Sequence, residues 1–191
     1  MRYSAAHKAE TRRKILDAAA ARFRVEGYDG LGVDGLAKAA GVTNGAFYGH
    51  FASKADAYRE VLVSGLRDLR AGIERYRAQH GADWVQPFAA FYFGRSKLDL
   101  AENACALPAF GPEAARAPEA TRVAFETELA SVHAAVRDGL AADNRDARAW
   151  EMLALMLGGV TIARAVPDAA LSRLLADTFA ARLTMLGTAP L

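Results

Sequence analysis

The chain has a single cysteine, Cys105. It can form neither an intramolecular disulfide nor a multi-cysteine metal site, which points to a reducing, cytoplasmic setting. Prolines number only six, and nowhere do Val, Ile and Thr alternate at the period of a strand. Long apolar runs are missing too: the longest uncharged one, Met152 to Ala163, falls short of the roughly 20 residues that span a bilayer and reads as core. With no visible signal peptide, no membrane partner is expected. The four histidines, His7, His50, His80 and His133, are scattered. There is no G-x-S-x-G elbow, H-E-x-x-H pair, phosphate loop or dinucleotide fingerprint. An enzyme is therefore not expected, and neither is a metal or a cofactor.

What is present is a globular composition of 191 residues, 52% hydrophobic, enough for one good core or two small ones. Abundant Ala, Leu, Arg and Glu favour an all-α fold. Net charge is only +2, but it is unevenly spread. Residues 1–78 hold 14 Lys and Arg against 9 Asp and Glu, whereas 79–191 hold 10 against 13. A basic first half suits a polyanionic partner, and a solvated basic face is the plainer alternative.

The stretch Gly32 to Phe51 reads as a helix-turn-helix. Val33, Leu36, Ala37 and Ala40 give its first helix an apolar face. Gly41 supplies the left-handed residue that ends it, and Thr43 offers a cap to a second helix starting near Asn44. The leading turn of that helix, Asn44, Gly45 and Ala46, is slim enough for a major groove, while Phe47 and Phe51 can face inward.

Around this motif, residues 1–7 read as a frayed tail, followed by a helix with Ile15, Leu16, Ala19 and Phe23 on one side and Gly27 at its end. Lys8, Arg12, Arg13 and Lys14 crowd its N-terminal part, where the helix dipole favours acids, so phosphate is one reason for their placement. Ser53 and Asp56 form a capping box for a long helix carrying Val61, Leu62, Leu66, Leu69 and Ile73. An aromatic segment, Trp84 to Phe93, has Pro87 in its first turn. Residues 94–119, with Gly94, Pro108, Gly111, Pro112 and Pro118, are expected as broken helix and loop. A clear helix then carries Val123, Leu129, Val132, Val136 and Leu140. Of the last two helices, the first is apolar nearly all round between Glu151 and Arg164. The second carries a stripe of Leu171, Leu174, Leu175, Phe179, Leu183 and Leu186. Such surfaces suit a homodimer face, with a monomeric bundle as the alternative. The chain is expected to divide into a helix-turn-helix domain over 8–53 and a helical domain over 54–191, with no flexible linker.

The first 60 residues resemble the DNA-binding domain of the TetR family of bacterial transcriptional regulators. The likeness rests on Thr11-Arg12, Ile15-Leu16, Ala18-Ala19, Phe23, Gly27-Tyr28, Val33, Leu36-Ala37, Ala40-Gly41-Val42-Thr43, Tyr48, His50-Phe51 and Ser53-Lys54, in family order and spacing. It implies that Thr43, Tyr48, His50 and Lys54 contact phosphates and that Asn44, Gly45, Ala46 and Phe47 lie along base edges. Thr11 and Arg12 are further candidates for DNA contact, and His50 is open to a packing role instead. The family mechanism would be a homodimer, joined through the two C-terminal helices, on a palindromic double-stranded DNA operator. A small hydrophobic effector would release this repressor. Candidate effector contacts are Trp84, Phe88, Phe91, Tyr92, Leu107, Phe110, Phe125, Leu129 and His133, all equally readable as core. Cys105 is weighed as a reactive thiol or a small buried hydrophobe. Three residues depart from the family pattern: Gly32 is a weak cap, Gly49 lowers the charge and stiffness of the recognition helix, and Tyr58 replaces an aliphatic, tolerable if its hydroxyl reaches solvent. A DNA-binding architectural protein that senses no ligand is the rival reading.

Overall fold

The computed structural model describes residues 5–98, 104–141 and 144–188. Among the described residues all regular structure is helical, as expected. The elements are α1 (Ala5–Glu26), α2 (Val33–Ala39), α3 (Asn44–Tyr48), α4 (Lys54–His80), a 3-10 turn (Gly81–Asp83), α5 (Val85–Leu98), α6 (Ala106–Ala114), α7 (Glu119–Arg137), α8 (Arg145–Ala165) and α9 (Ala169–Thr188). Helix α1 starts at Ala5, inside the stretch expected as a tail, of which residues 1–4 lie outside the described residues.

The local signals set the boundaries. Gly27 and Gly41 both adopt positive φ, 72° and 67°, just after α1 and α2. The Thr43 hydroxyl accepts the Ala46 amide at 3.1 Å, and Ser53 Oγ accepts that of Asp56 at 3.1 Å. Each such cap contributes about 1 kcal/mol. The return bond of the second cap reaches back one residue further than in a standard capping box, from Ala52 N–H to Asp56 Oδ2 at 3.2 Å.

Helix α1 packs on both α2 and α4, α3 packs on α2, and α4 in turn lies against α7. Arg67 of α4 pairs with the buried Glu128 at 2.7 Å, and Arg77 donates to the Ala135 carbonyl at 2.8 Å. Beyond them α5, α8 and α9 form a packed layer, and α6 bridges α4 and α8. One continuous apolar core runs from Ile15 to Leu186. Such a core transmits displacement between its ends rather than absorbing it.

Three expectations change. Residues 94–119 are more helical than expected: α5 continues through Gly94 to Leu98, and α6 accommodates Pro108 in its first turn, where no amide donor is required. Pro112 then removes a helical hydrogen bond two residues before α6 ends. Residues 99–103 of this stretch lie outside the described residues. Val123 is not on the buried face of α7 but 55% exposed, because that face is given to Thr121, Glu128 and His133 as well as Val132 and Val136. The expected α9 stripe is split: Leu183 and Leu186 enter the core, whereas Leu171 and Leu174 stand in solvent.

Candidate nucleic-acid interface

Helix α2 is fixed to the core by Leu36 and Ala37. The turn after it closes through Gly41 N–H to Lys38 O at 3.1 Å and Val42 N–H to Ala37 O at 2.9 Å. Helix α3 is anchored by Phe47, fully buried and 5.5 Å from the Phe51 ring. Burying each of these rings contributes about 1.5–3 kcal/mol. Phe47 therefore holds the helix from beneath, and its side chain does not lie at a base edge. The outer surface of α3 is left to Thr43, Asn44, Gly45 and Tyr48, all exposed, with Ala46 half-buried. Tyr48 has 56% of its surface in solvent. Asn44 is not isolated: its side-chain amide donates to the Asp34 carboxylate of α2.

The flanking candidates are engaged within the domain. Thr11 donates its hydroxyl to the His7 carbonyl at 3.0 Å. Arg12 pairs with Glu60, which raises the guanidinium pKa further, and stacks 4.7 Å over the Phe51 ring. Lys54 points inward, donating to the Tyr28 carbonyl at 2.9 Å and lying 4.0 Å above the Tyr28 ring. The basic cluster of α1 is partly neutralised, since Lys14 pairs with Glu10 at 2.9 Å, leaving Lys8 and Arg13 exposed. His50 is half-buried, and its Nδ1 is shielded from water without a hydrogen-bond partner among the described residues. Burial, then the nearby Lys8 and Arg12 charges, lower its pKa.

Residues 15–61 match the family described as bacterial regulatory proteins, tetR family. The HTH-type transcriptional regulator SrpR of Pseudomonas putida is 40% identical over 80 residues, covering 39% of this chain and 38% of SrpR. TtgW, also of Pseudomonas putida and also named as an HTH-type transcriptional regulator, is 40% identical over 80 residues, covering 39% of this chain and 60% of TtgW. The matched stretch thus spans less than two thirds of either relative. The reduced form of NemR from E. coli shares the fold over 94% of this chain and 98% of its own, with a TM-score of 0.79 at 19% identity. The likeness to the TetR family by sequence is thus confined to the N-terminal part of the chain. These relatives are named as regulators of transcription, not as enzymes, in agreement with the motif inventory.

Against the TetR pattern, Gly32 does cap α2 without a side-chain bond. Tyr58 behaves differently from expectation. Its hydroxyl is buried and donates to Glu113 Oε2 of α6 at 3.1 Å, instead of reaching solvent. Burial and the Glu113 charge push its pKa well up. The other carboxylate oxygen accepts the Tyr28 amide at 3.0 Å, and a Cβ on Gly27 would come within 2.6 Å of it. Arg24 completes the junction, donating to the Ala104 carbonyl at 2.7 Å. A cavity of about 110 Å³ lies here, walled by Tyr28, Tyr58, Glu113, Arg116 and Thr121. Sequence reasoning missed Glu113 altogether, because its partners lie 55 and 85 residues away.

The candidate effector residues fall into separate groups. Trp84, Phe88 and Tyr92 form a ladder along α5, with centroid spacings of 5.6 and 5.7 Å. The Trp84 indole donates to the Gly139 carbonyl at 2.9 Å. Phe91, 40% exposed, sits against Tyr76 of α4. Cys105 and Leu107 adjoin the ladder near Tyr92, where burial raises the thiol pKa against the opposing effects of Tyr92, Arg24 and Arg164. Phe110 belongs instead to the domain junction, 5.7 Å from Tyr58 and under the Arg24 guanidinium. Phe125 lines an open groove between α6 and α7, Leu129 is partly buried against the core, and His133 stacks on Trp150 at 4.1 Å with Nε2 3.0 Å from the Asp146 carbonyl.

Proposed function

We propose that this chain is a TetR-type transcriptional regulator, a repressor that binds a palindromic operator as a homodimer and is released by a small hydrophobic molecule. The observation that carries it is the division of labour on α3: Phe47 is sealed into the core, and the opposite face presents Asn44, Gly45 and Tyr48 to solvent. A short, firmly seated helix with a slim exposed face suits a major groove. In this reading residues 8–53 read DNA, with Tyr48, Thr43 and His50 on phosphates, joined by Lys54 once it leaves Tyr28, and Arg12 and Thr11 at the edge. Residues 54–191 dimerise through α8 and α9. There Trp150, Ile162, Leu171, Leu174 and Met185 are all more than 40% exposed, the kind of uncovered apolar surface that a partner removes from water.

The effector is assigned to the Trp84, Phe88, Tyr92, Cys105 and Leu107 group, the one set of candidates that lies together. Among the described residues no helix is long and apolar enough to cross a membrane. The test is a footprint on the DNA upstream of the protein's own gene, repeated with a panel of small hydrophobic molecules. Protection of a palindrome, relieved by one of them, is the expected result. Absence of sequence-specific binding at moderate salt would refute the regulator, and binding insensitive to every ligand would favour the architectural reading.

A further inference from the structure

The side-chain amide of Asn44 is tied to Asp34, ten residues earlier on the neighbouring helix. A carboxylate only accepts hydrogen bonds, so the amide must turn its nitrogen toward Asp34. One orientation of the Asn44 side chain is thereby selected over its flipped alternative. In that orientation the amide oxygen and the second N–H remain for an outside partner. Gly45 and Ala46 add no polar group to this edge of α3, so Asn44 is its one side-chain amide.

We infer that Asp34 is a specificity-positioning residue, which holds the Asn44 amide so that it reads one adenine in each half-site. The inference rests on the reading of α3 as the recognition helix. Adenine presents an N6 donor beside an N7 acceptor on its major-groove edge, the complement of a paired amide oxygen and N–H. Guanine offers two acceptors there and matches only half of the amide. Asp34 acts through Asn44, because its carboxylate is engaged by the Asn44 amide and its charge is repelled by phosphate.

Both side chains are exposed, so their replacement leaves the core intact. The test is selection from a randomised operator library by full-length wild type, Asn44→Ala, Asp34→Ala and Asp34→Asn, with helicity and melting checked for each. Wild type is expected to select adenine at one position per half-site, and Asn44→Ala to lose that preference. Asp34→Ala and Asp34→Asn are expected to relax the same position about tenfold, without weakening binding to unrelated duplex. If both Asp34 variants keep the wild-type preference where Asn44→Ala loses it, Asp34 positions nothing. Loss of a preference for a base other than adenine in Asn44→Ala would overturn the adenine assignment. A wild-type protein that selects no sequence at all would remove the proposed function itself.

Discussion

Tyr48 and Phe47 are neighbours in sequence, with rings 5.6 Å apart, yet one faces water and the other is sealed in the core. A phenol on that exposed face has a hydroxyl for phosphate and none of the paired groups that distinguish bases. Tyr48→Ala should therefore weaken binding to operator and to unrelated duplex alike, by about tenfold for one lost hydrogen bond. A change confined to the operator, seen in parallel titrations, would mean that Tyr48 reads sequence. His50 makes a prediction of opposite signs in the two states. In the free protein its pKa lies below the ordinary 6.5. The unfolded chain then binds more protons, so stability is lost as pH falls through 6.5 toward the lowered folded value. A phosphate beside the ring reverses this by favouring the imidazolium. Wild type should melt progressively earlier between pH 7.5 and 5.5 while its operator affinity gains relative to His50→Gln. Equal pH dependence of DNA binding in the two proteins would assign His50 to packing. Burial pushes the Cys105 thiol pKa up, which disfavours the thiolate that reacts with electrophiles. Cys105→Ser should leave operator release by quinones and peroxides unchanged, and loss of that release in the variant would reinstate a sensing role.

Helix α6 is fastened to the bend after α1 and to the first turns of α4 by hydrogen bonds to Glu113. One Glu113 carboxylate takes the Tyr28 amide and the Tyr58 hydroxyl, so a side chain from the second half of the chain fixes the bend after α1 and the first turns of α4 together. Glu113→Ala strands the buried Tyr58 hydroxyl without its acceptor, a loss of about 1–3 kcal/mol in urea denaturation. Tyr58→Phe on top of it should recover part of that loss, the signature of a coupled pair. A Glu113→Ala protein within about 0.5 kcal/mol of wild type would show that the bonds contribute nothing net. This junction also marks what could be read from the sequence. Gly27, Gly41, Thr43 and Ser53 announce the helix ends because each acts on backbone within a few residues of itself. Glu113 and Tyr58 carry no local signal, because the carboxylate that meets the Tyr58 hydroxyl comes from 55 residues away. The same limit explains the effector candidates: aromatic content located α5, but only packing separates Phe110, at the junction, from Phe88 and Tyr92. On α7, hydrophobicity placed Val123 inside, whereas the Arg67 partner Glu128 took the buried face.

For the molecule as a whole, the proposed homodimer rests on the outer surface of α9. Leu171, Leu174, Thr178, Ala181 and Met185 are all exposed and follow one another at steps of three and four residues. Such spacing makes a straight seam along a helix, the pattern by which helices pack against partners, and it is distinct from the Ala176, Leu183 and Leu186 face already in the core. The seam begins where Ser172 donates to the Ala163 carbonyl at 2.7 Å, which places the exposed Ile162 of α8 beside its first turn. Two copies joined there would carry two reading heads, and a helix-turn-helix dimer needs them about 34–36 Å apart. Because the core is continuous from α9 to α1, joining the copies at one end also fixes the heads at the other. Leu174→Glu, at a position 63% exposed, should leave the monomer folded while placing charge in the middle of the seam. Light scattering is expected to show a dimer for wild type and a monomer for the variant. On DNA, both proteins should bind an isolated half-site equally. Only the wild type should gain from the second half-site, by a factor on the order of 10²–10⁴. A variant that stays dimeric would move the interface away from α9, and a monomeric variant with undiminished affinity for the full palindrome would show that the two heads act independently.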